Sequence, residues 1–259
     1  MELILLGSGT GIPLHHRASP SLALRMANDL VLFDMGPGTL RQMARIGLHH
    51  ERVGHIFLTH FHPDHSADLV HFLFATKYPA ILAHRVPFRI TGPVGTHRFL
   101  EKIQEAYYPW LDVPLPLLHV HELHDEKEDQ RRYDHFEVIS CPTLHTAQSL
   151  AYRFISPEAT QIVYAGDTGF CDDVILLARG CDLLVLECSF PEGQEVEGHL
   201  TPPEAGRIAH LSGAKKLLLL HFYPEVLKTD IAEQCRTTYH GELIMGQDLL
   251  HLHLRKHGF

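Results

Sequence analysis

Apolar residues along the chain fall into short continuous runs and helical spacings, and several runs end in polar residues with metal-binding chemistry. Leu3-Ile4-Leu5-Leu6 reads as a buried strand entering the glycine-rich segment Gly7-Ser8-Gly9-Thr10-Gly11-Ile12-Pro13. Residues 21–26 alternate and 30–33 are continuously apolar up to Asp34, which predicts a hairpin turning at Ala27-Asn28-Asp29. Met35-Gly36-Pro37-Gly38 opens a helix from about Thr39 to Ile46, with Gly47 placed to end it. His55-Ile56-Phe57-Leu58 predicts a buried strand that delivers the loop Thr59-His60-Phe61-His62-Pro63-Asp64-His65. After it, Ala67, Leu69, Val70, Leu73 and Phe74 carry helical spacing. Next come a strand at 88–91, a helix at 95–107, a proline-rich stretch through Pro109, Pro114 and Pro116, and strands at 117–121, 135–141, 149–155 and 161–165. The last third predicts a helix at 172–179, a strand at 182–187, a helix at 202–211, a strand at 216–220 and an alternating strand at 249–254. Asp125-Glu126-Lys127-Glu128-Asp129 reads as a solvated turn.

Strands and helices in a first half, followed by the same grammar in a second, predict an α/β fold of two facing sheets with helices outside. No linker divides the chain, and 259 residues are near the upper size for one core, so one domain over 1–259 is expected. The glycine-rich segment is not a dinucleotide fingerprint, because Pro13 and the two histidines that closely follow it leave no helix to open after the glycines. It reads as a loop that allows close backbone approach, with a metal site as one candidate neighbour.

The loop after the fourth predicted strand holds three imidazoles and one carboxylate within residues 60–65. Imidazole nitrogen and carboxylate oxygen are ligands for zinc, manganese and iron. With 23 histidines in the chain, histidine alone is not diagnostic; the spacing at a strand end is. Pro63 fixes the backbone between the ligand pairs and discourages a regular helix through them. His60 and His62 are therefore expected on one metal, with Asp64 and His65 turned towards a second. Three further residues share this grammar of an apolar strand followed by a metal-competent side chain: His145, Asp167 and His221. Each is weak alone; together they complete the ligand set of a two-metal site.

Net charge is −9, and the basic pairs Arg131-Arg132, Lys215-Lys216 and Arg255-Lys256 are scattered. This argues against a large preformed nucleic-acid footprint, though divalent metals would make the site itself more positive. Five cysteines without a Cys-x-x-Cys pair read as reduced and mostly buried, as in a cytosolic protein. The start is too short and acidic for a secretory signal, and no stretch approaches a membrane span, so a soluble cytoplasmic protein is expected.

Thr59-His60-Phe61-His62-Pro63-Asp64-His65, with Asp34 in Phe33-Asp34-Met35-Gly36-Pro37-Gly38, His145, Tyr164-Ala165-Gly166-Asp167-Thr168 and His221, resembles the metallo-β-lactamase superfamily in its ribonuclease Z-like branch. The resemblance runs in order across nearly the whole chain. It implies a four-layer αββα sandwich and a dinuclear, usually zinc, site, with manganese or iron as alternatives. It puts His60, His62 and His145 on the first metal, Asp64, His65 and His221 on the second, and Asp167 between them. Asp34 is expected to hold the loops rather than to ligate.

Such a ligand count leaves room for a bridging water, which two metals convert to an attacking hydroxide. Phosphodiester hydrolysis also needs a proton for the leaving oxygen. Leu183-Leu184-Val185-Leu186-Glu187 is a strand ending in an acid, and Gly198-His199-Leu200-Thr201 precedes a helix. Both resemble the ribonuclease Z branch, which assigns His199 as general acid or phosphate-stabilising group with Glu187 orienting it; Asp64, His199 and Glu187 are the candidate catalytic residues. One departure stands out. Enzymes of that branch that mature transfer RNA typically carry a long arm between the residues matching His145 and Asp167, and here only 21 residues lie between them.

The expected function is thus a dinuclear-metal phosphodiesterase acting on a compact phosphodiester such as a cyclic nucleotide, short oligonucleotide or RNA end. The alternatives are hydrolysis of another ester, a thioester or a lactam, transfer-RNA 3′-end cleavage, or a metal-stabilised nucleic-acid or protein binding module. A redox di-iron site is disfavoured, because that branch generally has glutamate where this chain has His62. Expected partners are a small phosphodiester or short nucleic acid, no membrane, and a homodimer as an open option. The segments Phe72-Leu73-Phe74 and Tyr107-Tyr108-Pro109-Trp110 are expected to pack in the core, with a substrate rim or dimer contact as the other uses.

Overall fold

The computed structural model describes residues 1–26, 29–114, 116–133 and 135–254. The strands in chain order are β1 (Glu2–Gly7), β2 (Ser21–Arg25), β3 (Leu30–Phe33), β4 (Val53–Phe57), β5 (Phe88–Pro93), β6 (Leu118–Leu123), β7 (Asp129–Arg132), β8 (Glu137–Pro142), β9 (Leu150–Ile155), β10 (Gln161–Tyr164), β11 (Leu183–Glu187), β12 (Lys216–Leu220), β13 (Glu242–Met245) and β14 (Leu250–His253). They form two sheets, ordered β14-β1-β2-β3-β4-β5-β6 and β13-β12-β11-β10-β9-β8-β7. Helices α1 (Thr39–Arg45), α2 (Pro63–Ser66), α3 (Asp68–Thr76), α4 (Pro79–Leu82) and α5 (Thr96–Ala106) belong to the first half, and α6 (Asp172–Leu177), α7 (Pro202–Ser212) and α8 (Ile231–Arg236) to the second.

Three apolar clusters stack these elements into four layers. Leu5, Phe33, Phe57, Tyr152, Phe154 and Leu218 fill the space between the sheets. Met43 of α1, Leu69 and Phe72 of α3 and Leu100 of α5 cover the outer face of the first sheet. Val174 of α6, Ile208 of α7 and Cys235 of α8 cover the second. Strands β3 to β6 run parallel, as do β10 to β13. Parallel strands buried on both faces need continuous apolar runs, and β11 and the last four residues of β12 are wholly buried. Their C-terminal ends lie along one edge of the sandwich, and there the polar residues gather.

Most expected elements stand within a few residues of their predicted bounds. Four features correct or extend that reading. Pro63 starts helix α2 instead of preventing one: at N1 its missing N–H costs nothing, and the short turn carries Asp64 and His65. Asp129, read as part of a solvated turn, begins the charged edge strand β7, which pairs with β8. The closing strand β14 crosses back to pair with β1 of the first sheet. Phe72 and Leu73 are core residues, but Phe74, Tyr107, Tyr108 and Trp110 are exposed, so core packing is overturned for those four. Of the hairpin turn, Ala27 and Asn28 lie outside the described residues, as does the pair Arg255-Lys256. All five cysteines are buried and free.

Candidate active site

Six strand ends deliver the site: β3 gives Asp34, β4 gives His60 to His65, β8 gives His145, β10 gives Asp167, β11 gives Glu187 and β12 gives His221. Every one of the seven candidate ligands converges. His60, His62, His145 and Asp167 place one donor atom each within 4.8 Å of one another, and so do Asp64, His65 and His221. His145 Nε2 lies 3.1 Å from His62 Nδ1 and 3.7 Å from Asp167 Oδ2. His65 Nε2 lies 3.2 Å and His221 Nε2 3.4 Å from Asp167 Oδ1, and His221 Nε2 is 3.6 Å from Asp64 Oδ2. Most of these separations are long for hydrogen bonds. They match the edges of a coordination polyhedron, since two ligands about 2.1 Å from a tetrahedral ion sit about 3.4 Å apart. His60 Nε2 and Asp167 Oδ1 are buried with no hydrogen-bond partner among the described residues, which a cation between them would resolve. The donor set therefore fits divalent metal.

The other ring nitrogens are spoken for, which sets the tautomers. His65 Nδ1 donates to Asp34 Oδ2 at 2.8 Å, His145 Nδ1 to the Gly198 carbonyl at 2.9 Å and His221 Nδ1 to Ser189 Oγ at 2.9 Å. His60 Nδ1 faces Thr59 Oγ1 at 3.0 Å. Each arrangement leaves Nε2 as the lone-pair nitrogen facing the cluster. Burial, reinforced by the neighbouring His65, holds the His60 imidazole well below its usual pKa, and burial also lowers His145, so both favour the neutral form that ligation needs. Burial would push the Asp167 carboxyl up, but the facing His221 and His65 outweigh it and hold it well below the usual range.

Asp34 is wholly buried and belongs to none of the candidate donor groups. It accepts from Thr59 N at 2.8 Å, Thr59 Oγ1, His65 Nδ1 and Tyr164 Oη at 2.7 Å, tying three strand ends together as expected for a holding residue. Both Asp34 (φ 57°) and His221 (φ 60°) sit in the left-handed region, uncommon for residues with a side chain and typical of functional sites. The Ser8 carbonyl pins His221 by accepting its N–H at 3.0 Å, and a Cβ on Gly11 would stand 3.4 Å from Asp64 Oδ2. The glycine-rich segment thus does approach the site. Gly166 is required beside it, because a Cβ there would lie 2.7 Å from Thr59 Cβ.

Glu187 and His199 are also brought together. His199 Nδ1 lies 2.9 Å and 3.2 Å from the two Glu187 oxygens, and its ring centroid lies 4.8 Å from that of His145 and 5.9 Å from that of His221. Burial pulls the His199 imidazole down, but the Glu187 hydrogen bond and charge outweigh it, and its pKa is raised. Glu187 is itself wholly buried, accepting from Thr168 N at 2.9 Å and Leu200 N at 3.2 Å. Thr201 caps α7 in a capping box with Glu204, so the loop that presents His199 ends on a fixed helix start.

Ser189 was not singled out by sequence. Its hydroxyl donates to Glu187 and accepts from His221, joining the acid's partner to a candidate ligand. Phe190 and Tyr223 were missed too; they stack on each other at 4.8 Å beside His199. Their only signal in sequence is position, each three residues beyond a buried strand.

This two-sheet frame with a histidine and aspartate cluster at one edge defines a class. The model of the beta-lactamase superfamily domain matches residues 30–222, most of the chain, and the chain belongs to that superfamily, in its ribonuclease Z-like branch, as a metal-dependent hydrolase. A protein named Ribonuclease Z from Streptomyces avermitilis is 30% identical to it, with 98% of each chain covered. Among solved structures, human tRNase Z, short form, superposes with a TM-score of 0.81 at 25% identity, covering 98% of this chain and 100% of that one. The metallo-beta-lactamase fold protein YhfI from Bacillus subtilis gives 0.84 at 23% identity over 97% and 98% of the chains, a likeness of fold.

Proposed function

We propose that the chain is a single hydrolase domain, residues 1–259, acting as a two-metal phosphodiesterase on a compact phosphodiester such as a cyclic nucleotide, short oligonucleotide or RNA end. His60, His62 and His145 would hold the first cation, Asp64, His65 and His221 the second, and Asp167 both, with zinc favoured by the nitrogen-rich donor set. When bound, the cations supply Lewis acidity, lowering the pKa of water and offsetting charge on the phosphate. The chain's own residues do the rest. Asp34, Thr59, Gly198 and Ser189 hold the ligand rings in the tautomer that ligation needs. Glu187 keeps a proton on His199, whose Nε2 side is left to donate to the leaving oxygen.

The observation that carries the phosphodiester reading is the Glu187–His199 pair beside the cluster. A compact substrate is supported by the 21 residues between His145 and Asp167, which β9 and β10 largely consume. The alignment with the Streptomyces relative runs over 305 positions, more than the 259 residues of this chain, so that relative has segments without a counterpart here. Turnover of a dinucleoside phosphate, whose alkoxide leaving group needs a proton, by zinc-loaded protein tests the reading. His199→Ala should lower it by about 10²–10⁴-fold with metal content held at two. Unchanged turnover, or faster turnover of a thioester or lactam in the same panel, sinks it. The relatives named Ribonuclease Z favour a second reading, cleavage at the 3′ end of precursor transfer RNA, which the same protein tests directly.

A further inference from the structure

We propose that Phe190 and Tyr223 form a stacking surface that selects phosphodiesters carrying a nucleobase, an inference that rests on the phosphodiesterase reading above. The two rings come from separate strand ends and stack at 4.8 Å with 19° between planes. They stand at the reacting edge of the site: His199 lies 5.6 Å from Phe190 and 6.1 Å from Tyr223, and His221 lies 5.6 Å from Tyr223. Ordinary packing is the competing explanation. Phe222, next in the chain to Tyr223, shows what packing looks like, being fully buried in the cluster under α7. Phe190 and Tyr223 are only partly buried and belong to none of the three apolar clusters. Among the described residues no lysine or arginine is stacked over either ring. A flat, neutral, polarisable group joined to the scissile phosphate fits it, and every nucleobase has such a face.

The test compares thymidine 5′-(p-nitrophenyl phosphate) with methyl p-nitrophenyl phosphate on the zinc-loaded full chain. Both release the same leaving group; the nucleoside ester adds a deoxyribose as well as the base, so 1,2-dideoxyribose 5′-(p-nitrophenyl phosphate), which has the sugar without the base, is run beside them and should behave like the methyl ester. Base stacking on aromatic side chains corresponds to roughly 5- to 150-fold in kcat/KM. The wild-type ratio of nucleoside to methyl ester should fall in that range. It should drop at least 5-fold in Phe190→Leu and in Tyr223→Leu, which keep apolar volume without a ring face, and persist in Tyr223→Phe. Without any variant, thymidine 5′-monophosphate should inhibit more tightly than methyl phosphate by a similar factor. A wild-type ratio near one, or a ratio unmoved in both leucine variants, overturns the stacking surface. If neither ester is turned over, the phosphodiesterase reading fails, and this inference with it.

Discussion

Replacing Asp34 by alanine should separate the residue that holds the site from those that would bind metal. The carboxylate is wholly buried and receives the Thr59 amide, the Thr59 hydroxyl, the His65 imidazole and the Tyr164 hydroxyl. Alanine leaves all of these in an apolar interior. A buried donor left unpaired costs about 1–3 kcal/mol, and partial relaxation of the hydroxyls brings the sum to about 4 kcal/mol. The left-handed backbone at φ 57° adds about 1 kcal/mol, because alanine tolerates it less well than aspartate. Tyr164→Phe removes only one of these hydrogen bonds and should cost about 2 kcal/mol. Urea unfolding of metal-stripped protein measures both, provided the m-value is unchanged. A loss of about 5 kcal/mol can exhaust a domain's stability, so Asp34→Asn, which keeps shape and backbone preference, serves as the folded comparison. In that variant the ring of His65 loses its charged partner, and metal affinity should fall by about 10- to 100-fold in a chelator competition. If Asp34→Ala destabilises less than Tyr164→Phe, or Asp34→Asn binds metal as tightly as the wild type, the holding role is refuted.

Two other perturbations address the linked residues. Ser189→Ala removes the oxygen that accepts from His221 Nδ1, so metal affinity at one proposed site should weaken by about 10-fold while the other is retained; affinities unchanged from wild type at both in a chelator competition would contradict this. Glu187→Gln removes the charge that raises the His199 pKa, so His199 should lose its proton at lower pH. With His199 in the proposed role of proton donor to the leaving oxygen, the alkaline limb of the kcat/KM profile should move to lower pH; a limb that stays in place would mean another group governs it.

The candidate ligands could be picked out in the sequence because parallel strands buried on both faces leave only their ends for polar chemistry. An apolar run such as Leu217-Leu218-Leu219-Leu220 therefore points to the residue after it, His221. Local patterning also carried most elements and the close approach of the glycine-rich segment, since each depends on neighbours in the chain. What depends on distant neighbours was not legible. Asp129 to Arg132 became an edge strand only because β8 offers a partner. Phe74, Tyr107 and Trp110 read as core by composition and lie exposed, because α3 turns Phe72 rather than Phe74 to the sheet and the segment after α5 runs over the surface. Ser189 stands two residues from Glu187, yet its link to His221 spans 32 residues and exists only where β11 lies beside β12. The stack of Phe190 on Tyr223 arises from the same adjacency. Strand periodicity writes which residues end up at an edge; only the pairing of strands decides which of them touch.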